Sequence, residues 1–175
     1  MATPQFKELV HFIVNECTHQ SRTLGAIRLN KTLWYTDVLA YQETGKSVTG
    51  EKYIKRKMGP VPAAILTTIG ELQTDGDIST SEPEFQYDVR KYVSLKAPVH
   101  VLLTEAERDR ARAVLDMVCG HTATAISEIT HDIVWAAAAD GEEIPLYATL
   151  VSELAEIDSD VREWAKPIVA ELEAA

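Results

Sequence analysis

The sequence predicts an α+β fold: a helix-dominated compact domain with a small antiparallel β-sheet or hairpin. Three observations lead there. Apolar residues recur at three- and four-residue spacing through several long stretches, each bounded by a capping residue or a glycine. Strand-like patterning is confined to two short regions, 51–58 and 77–98. The chain has 175 residues, 46% of them hydrophobic and 25% charged, which fits one domain over 1–175 whose core needs no disulfide or metal.

The first helix is expected over Pro4–His19. Phe6, Leu9, Val10, Ile13, Val14 and Cys17 share its inner face, Pro4 suits a first turn, and Glu8, Asn15 and Glu16 are expected outside. The second runs from Ile27 to Thr44, with Leu29, Leu33, Thr36 and Ala40 in a stripe that Trp34, Val38 and Tyr41 widen; Gly45 ends it. Glu51–Met58 reads as a short, partly exposed strand. Gly59-Pro60-Val61-Pro62 reads as a rigid extended elbow, because each proline fixes its own φ and restricts the residue before it. A third helix is expected over Pro62–Asp75, with Ile65, Leu66, Ile69 and Leu72 inward and Gly76 ending it. The stretch YDVRKYVSL, 87–95, reads as a strand with a partner starting at Ile78.

Thr104-Glu105-Ala106-Glu107 is a capping box, so a fourth helix is expected to start there and run to Cys119 with Ala111, Val114, Leu115 and Val118 buried. Thr122 is placed to cap a fifth helix over Ala123–Thr130, and Asp132 a short sixth within His131–Ala139. Asp140-Gly141 is a turn, Leu146–Leu154 a further short helix, and 158–174 an acidic C-terminal helix with Val161, Trp164, Ile168, Val169 and Leu172 on one face and a break at Pro167.

The net charge is −10, from 27 acidic and 17 basic side chains. Its distribution is uneven: residues 45–60 carry five bases and one acid, whereas 140–175 carry ten acids and two bases. Such a body repels polyanions at long range and favours a basic partner. The apolar run at Val134–Ala139 is too short for a membrane span, and the N-terminus lacks a secretory pattern, so the expected compartment is the cytoplasm, with no membrane insertion.

Catalytic motifs are scarce. Gly45-Lys46-Ser47 resembles the end of a phosphate loop, but Ala40 occupies the required first glycine and helix precedes it. Glu-x-x-His occurs as Glu16/His19 and Glu128/His131, yet a di-metal centre also needs inward carboxylates from two other helices, and none is evident. Cys17 and Cys119 fall on apolar helix faces, where packed thiols are expected rather than nucleophiles. No catalytic residue, metal or cofactor is expected. A helix over 62–75 followed by a hairpin also suits a winged-helix DNA reader. That helix carries no lysine or arginine, so nucleic acid is the weaker partner class, with Lys52, Lys55, Arg56 and Lys57 the available cations.

Two stretches carry a resemblance. Leu29-Asn30-Lys31, Tyr41, Thr44-Gly45, Thr49-Gly50, Tyr53 and Gly59-Pro60-Val61-Pro62 form the first; Ser127, Thr130-His131, Trp135 and Gly141-Glu142 form the second. In combined spacing, over about 25–145, they are similar to the Panacea antitoxin domain, also called SocA-like. Met58 and Val134 depart from the pattern, standing where the family often has an aromatic residue and a proline. The resemblance implies an antitoxin of a bacterial or phage toxin–antitoxin pair that neutralises a cognate protein toxin by direct binding, the toxin being of alarmone-synthetase or membrane-acting type. The alternative reading is the winged-helix transcriptional regulator. Candidate partner contacts are Tyr53, Lys55 and Lys57 on the basic segment, and Glu142, Glu143, Glu153 and Glu156 on the acidic one. Asn30, Lys31, His131 and Trp135, drawn from both stretches, are expected to lie close together, with Asn30 or His131 satisfying buried backbone groups.

Overall fold

The computed structural model describes residues 3–81, 91–99 and 101–150. The expected C-terminal helix 158–174, with Glu153 and Glu156, lies outside the described residues. Among the described residues, six helices and two small sheets make an α+β domain. The helices are α1 (Pro4–His19), α2 (Ala26–Thr44), α3 (Ile65–Thr74), α4 (Glu105–Cys119), α5 (Ala123–Ile129) and α6 (Ile133–Ala137). The strands are β1 (Tyr53–Arg56), β2 (Gly59–Pro62), β3 (Ile78–Ser81), β4 (Lys91–Ser94) and β5 (Glu143–Ile144), and a 3₁₀ turn follows at Leu146–Ala148.

α1 is the centre. Phe6, Leu9, Val10, Phe12, Ile13, Val14 and Cys17 are all buried, because α2, α3, α4 and β4 pack around it. A helix covered on several sides buries more than a stripe. For that reason Asn15, expected outside, is buried too. Glu8 does reach the surface, where its carboxylate accepts the backbone N–H groups of Val101, Leu102 and Leu103. α2 is the spine between two cores. Leu29, Leu33 and Ala40 join the α1 cluster, while Trp34 and Val38 face Tyr53 and Ile144. Gly45 closes α2 at φ 72°, a left-handed conformation that glycine adopts without a Cβ clash.

α3 begins three residues later than expected. Leu66 does not join the core: it is 82% exposed, because only the Ile65, Ile69 and Leu72 edge of that short helix meets the protein. α4 follows the pattern closely. Its capping box is formed in both directions, and Ala111, Val114, Leu115 and Val118 are its buried residues. Thr122 and Asp132 cap α5 and α6 as the sequence predicts.

The main departure is at 59–62. These residues are a strand, not an elbow. β2 pairs antiparallel with β1, Arg56 opposite Gly59 and Tyr53 opposite Pro62, and β5 takes the other side, giving the order β2-β1-β5. The register explains how two prolines fit. Lys55 donates its N–H to the Glu142 carbonyl at 2.8 Å and accepts from the Gly141 N–H at 3.1 Å, so its backbone groups point away from β2. Pro60 stands opposite Lys55, and Pro62 opposite Tyr53, where no ladder N–H is required of them. The second sheet is the expected hairpin, β3 with β4, Ile78 opposite Ser94.

Candidate functional site

The two resembling stretches fold against each other. The β1–β2 hairpin lies on α2, and the α5–α6 corner closes over both. At the centre is Lys31 of α2, 1% exposed. Its ammonium donates to the Thr130 hydroxyl at the end of α5, and that hydroxyl donates in turn to the Ser127 carbonyl at 2.8 Å. Gly59 of β2 is pressed onto the same pair. A Cβ there would overlap Lys31 Nζ and come within 2.8 Å of Thr130 Oγ1, and its φ of 110° excludes ordinary residues. Burial lowers the Lys31 pKa to about 8, although the nearby Asp132 carboxylate pulls it upward. The same Asp132, after burial, raises the Tyr35 hydroxyl to about 12.

Trp135 ties α6 to the hairpin. Its indole N–H donates to the Arg56 carbonyl at 3.1 Å, and its ring stacks on His131 at 3.8 Å. The Lys55 ammonium sits 4.2 Å from the centre of the Trp135 ring and donates to the Ala138 carbonyl at 2.7 Å. Lys55 thus fastens β1 to the end of α6. Of the four residues expected together, His131 and Trp135 stack on each other, and Lys31 bonds Thr130, the neighbour of His131. The expected satisfaction of backbone groups by Asn30 or His131 is not found: the buried Oδ1 of Asn30 and Nε2 of His131 have no hydrogen-bond partner among the described residues, nor has the buried Ser127 hydroxyl.

Tyr53 is 1% exposed. Its ring meets Trp34 edge-on at 4.9 Å, and its hydroxyl donates to Asp37 at 2.8 Å. Asp37 also accepts the Thr49 backbone N–H at 3.0 Å and the Thr49 hydroxyl. Burial pushes the Asp37 carboxyl upward against the Thr49, Tyr53 and Val48 donors that pull it down. The sequence reading passed over Asp37. The signal was there: it stands four residues after Leu33, on the buried side of α2, where an acid needs partners. Its network makes Tyr53 a pillar inside the molecule rather than a surface side chain.

The other candidates are at the surface. Lys57 is exposed in the β1–β2 turn. Glu143 pairs with Lys52 at 2.8 Å, and Glu142 accepts the Ala139 N–H at 2.6 Å, closing the turn beside β5. Pro60 is buried within β2, and Tyr41 lies half-buried near the far end of α2, ten residues or roughly 15 Å from Lys31. Next to the acidic turn, α6, β5 and the 3₁₀ turn enclose a groove of about 330 Å³. Ile133, Val134, Ala137, Ala138, Ile144 and Ala148 supply most of its apolar lining.

The chemistry elsewhere is that of packing. The Glu16 carboxylate accepts from Arg112 at 3.2 Å, while His19 is exposed. Among the described residues no three histidine, cysteine, aspartate or glutamate side chains lie close enough to hold a metal ion. Cys17 is buried, and burial together with Cys119 pushes its thiol up to about 12. The outer side of α3 presents Glu71 and Asp75, and the cation beside them, Lys7, pairs with both. No helix among the described residues is long and apolar enough to cross a membrane.

Fold and site together define a small helical α+β scaffold whose polar side chains clamp a β-hairpin to a helical corner. The family described as antitoxin SocA-like, Panacea domain, matches residues 29–136, more than half of the chain, and the chain belongs to it. That span contains Lys31, Gly59, Thr130, His131 and Trp135. No curated protein and no solved structure matches the chain.

Proposed function

We propose that this protein neutralises a protein toxin by binding it directly, acting as a partner-binding scaffold and not as a catalyst. Membership of the SocA-like antitoxin family carries the reading. The clamp supports it: Lys31, Gly59, Thr130, Lys55 and Trp135 hold the β1–β2 hairpin and the 140–143 turn side by side, so that Lys57 and Glu142 are presented from fixed backbone. Rigid presentation lowers the entropy lost on association. We place the partner contact on this face, with Glu142 and Glu143 steering a basic toxin surface and Lys57 supplying a positive charge at the hairpin tip.

The test is growth rescue. The gene adjacent to this one is expressed inducibly, alone and with this protein, and co-purification is measured. Rescue with a stable complex is expected. Charge-neutral variants, Glu142→Gln with Glu143→Gln and separately Lys57→Gln, then locate the face. Rim charges act mainly on association rate, so at low salt the glutamate variant should bind several-fold more slowly, and at high salt the difference should shrink. Equal rates at both salts remove the acidic turn from the contact. A toxic neighbour that this protein neither rescues nor binds overturns the function.

A further inference from the structure

The groove between α6 and β5 is apolar, open and placed at the point where the described chain ends. Val134, Ala138, Ile144, Ile133, Ala137 and Ala148 line it, and its volume is about 330 Å³. Ile133 is 69% exposed beside it, as are Tyr147 at 64% and Leu150 at 42%. A continuous apolar surface of this kind on a soluble protein marks a contact.

We propose that the occupant is the chain's own segment 158–174. Ala148, in the lining, is two residues from Leu150, the last described residue, so the chain leaves the described fold at the mouth of the groove. Residues 151–157 are seven residues, which span at most about 25 Å even when fully extended, so the segment begins within reach of the groove. The segment has the matching pattern. Val161 and Trp164 precede the break at Pro167, and Ile168, Val169 and Leu172 follow it, so each half carries apolar side chains at three- or four-residue spacing. The segment also carries two cations, Arg162 and Lys166, while the groove's rim carries Glu142 and Glu143. A second copy of the protein is the poorer occupant, since each copy carries a net charge of −10 and the rim itself is acidic. Docked in this way, the segment covers the apolar surface next to the face assigned above to the partner, and its five acids join that face.

Two measurements on the full chain test this. The first uses trypsin, which cuts the segment after Arg162, the bond after Lys166 being blocked by Pro167. Ala137 is exposed on α6 and lines the groove, so Ala137→Glu fills and charges the groove without adding a cleavage site. Cleavage after Arg162 should accelerate about tenfold in this variant, with an unchanged melting temperature. Equal cleavage rates overturn the proposal. The second is a disulfide between Ala137→Cys and Ile168→Cys in a Cys119→Ser background. It should form within single chains, at a yield independent of protein concentration and matching that of a control pair, Ser79→Cys with Val93→Cys, which stand opposite each other in the β3–β4 register. Cross-linked dimers assign the groove to a second copy and overturn the proposal, as does no cross-link where the control pair forms one. Neither measurement involves a toxin, so the outcome is separate from that of the growth rescue.

Discussion

Replacing Gly59 by alanine should be among the most damaging single-methyl additions in this protein. The added Cβ meets the Lys31 ammonium, comes within 3.2 Å of Lys31 Cε and within 2.8 Å of Thr130 Oγ1, and must be held at φ 110°. The backbone alone costs about 1–3 kcal/mol in a region that L-residues rarely occupy. Pushing the ammonium off Thr130 adds about 1–3 kcal/mol, because Lys31 is 1% exposed and its charge has no water to turn to. A total of about 3 kcal/mol lowers the melting temperature of a chain this size by roughly 6–12 °C. Thermal unfolding followed by circular dichroism reads the shift, and the logic is checked in a double-mutant cycle with Lys31→Met. Methionine is one atom shorter, so the worst overlap vanishes, leaving the backbone strain and the close approach to Thr130 Oγ1. Gly59→Ala should then cost about 1–2 kcal/mol less than in the wild-type background. A melting temperature within about 2 °C of wild type, or costs that simply add, would show that Gly59 is not fitted to Lys31.

Three further outcomes follow from the same interior. The folded-state pKa of Lys31 is about 8 against an ordinary 10.5, so between those values the unfolded chain binds the extra proton; stability should rise with pH across that window by about 3 kcal/mol, and Lys31→Met should abolish the rise. Cys17, held up at about 12, acts with the opposite sign above pH 9, so the difference between the two proteins' denaturant-derived stabilities isolates the lysine. Tyr53→Phe removes a donor from the buried Asp37 carboxylate and should cost about 1–3 kcal/mol in urea unfolding; a neutral result would show that Thr49 alone satisfies the acid. Lys55→Ala frees the Trp135 ring and the Ala138 carbonyl, so tryptophan fluorescence should change while far-ultraviolet circular dichroism stays constant, with a loss of about 1 kcal/mol; an unchanged spectrum would place the ammonium elsewhere in solution.

Much of the local structure could be read before the chain was folded, because its causes are local. Pro4 and Thr3 open α1, the Thr104–Glu107 box opens α4, Thr122 and Asp132 open α5 and α6, and Gly45 closes α2; each satisfies helix-end groups within four residues of itself. Helical spacing likewise identified the buried side of α4. The motif residues were legible as a set, since the family pattern is a matter of spacing.

What the sequence could not decide is what each surface meets. Asn15 is buried because four elements surround α1, and Leu66 is exposed because nothing covers that side of α3; periodicity names a preferred face but not the number of neighbours. Gly59–Pro62 became a strand because β1, held by β5 through Lys55, offered it a ladder in a register that asks no N–H of either proline. Proline rules alone describe a single chain, whereas hydrogen-bond demand belongs to a pair. The same holds for charge. Lys31 and Lys55 are identical side chains in the sequence, yet one is an interior ammonium on a threonine and the other lies over an indole at a helix end. Residues from Lys31 to Ala138 meet there only through tertiary packing, and desolvation, which sets the lysine's pKa and the glycine's necessity, exists only once that packing has excluded water.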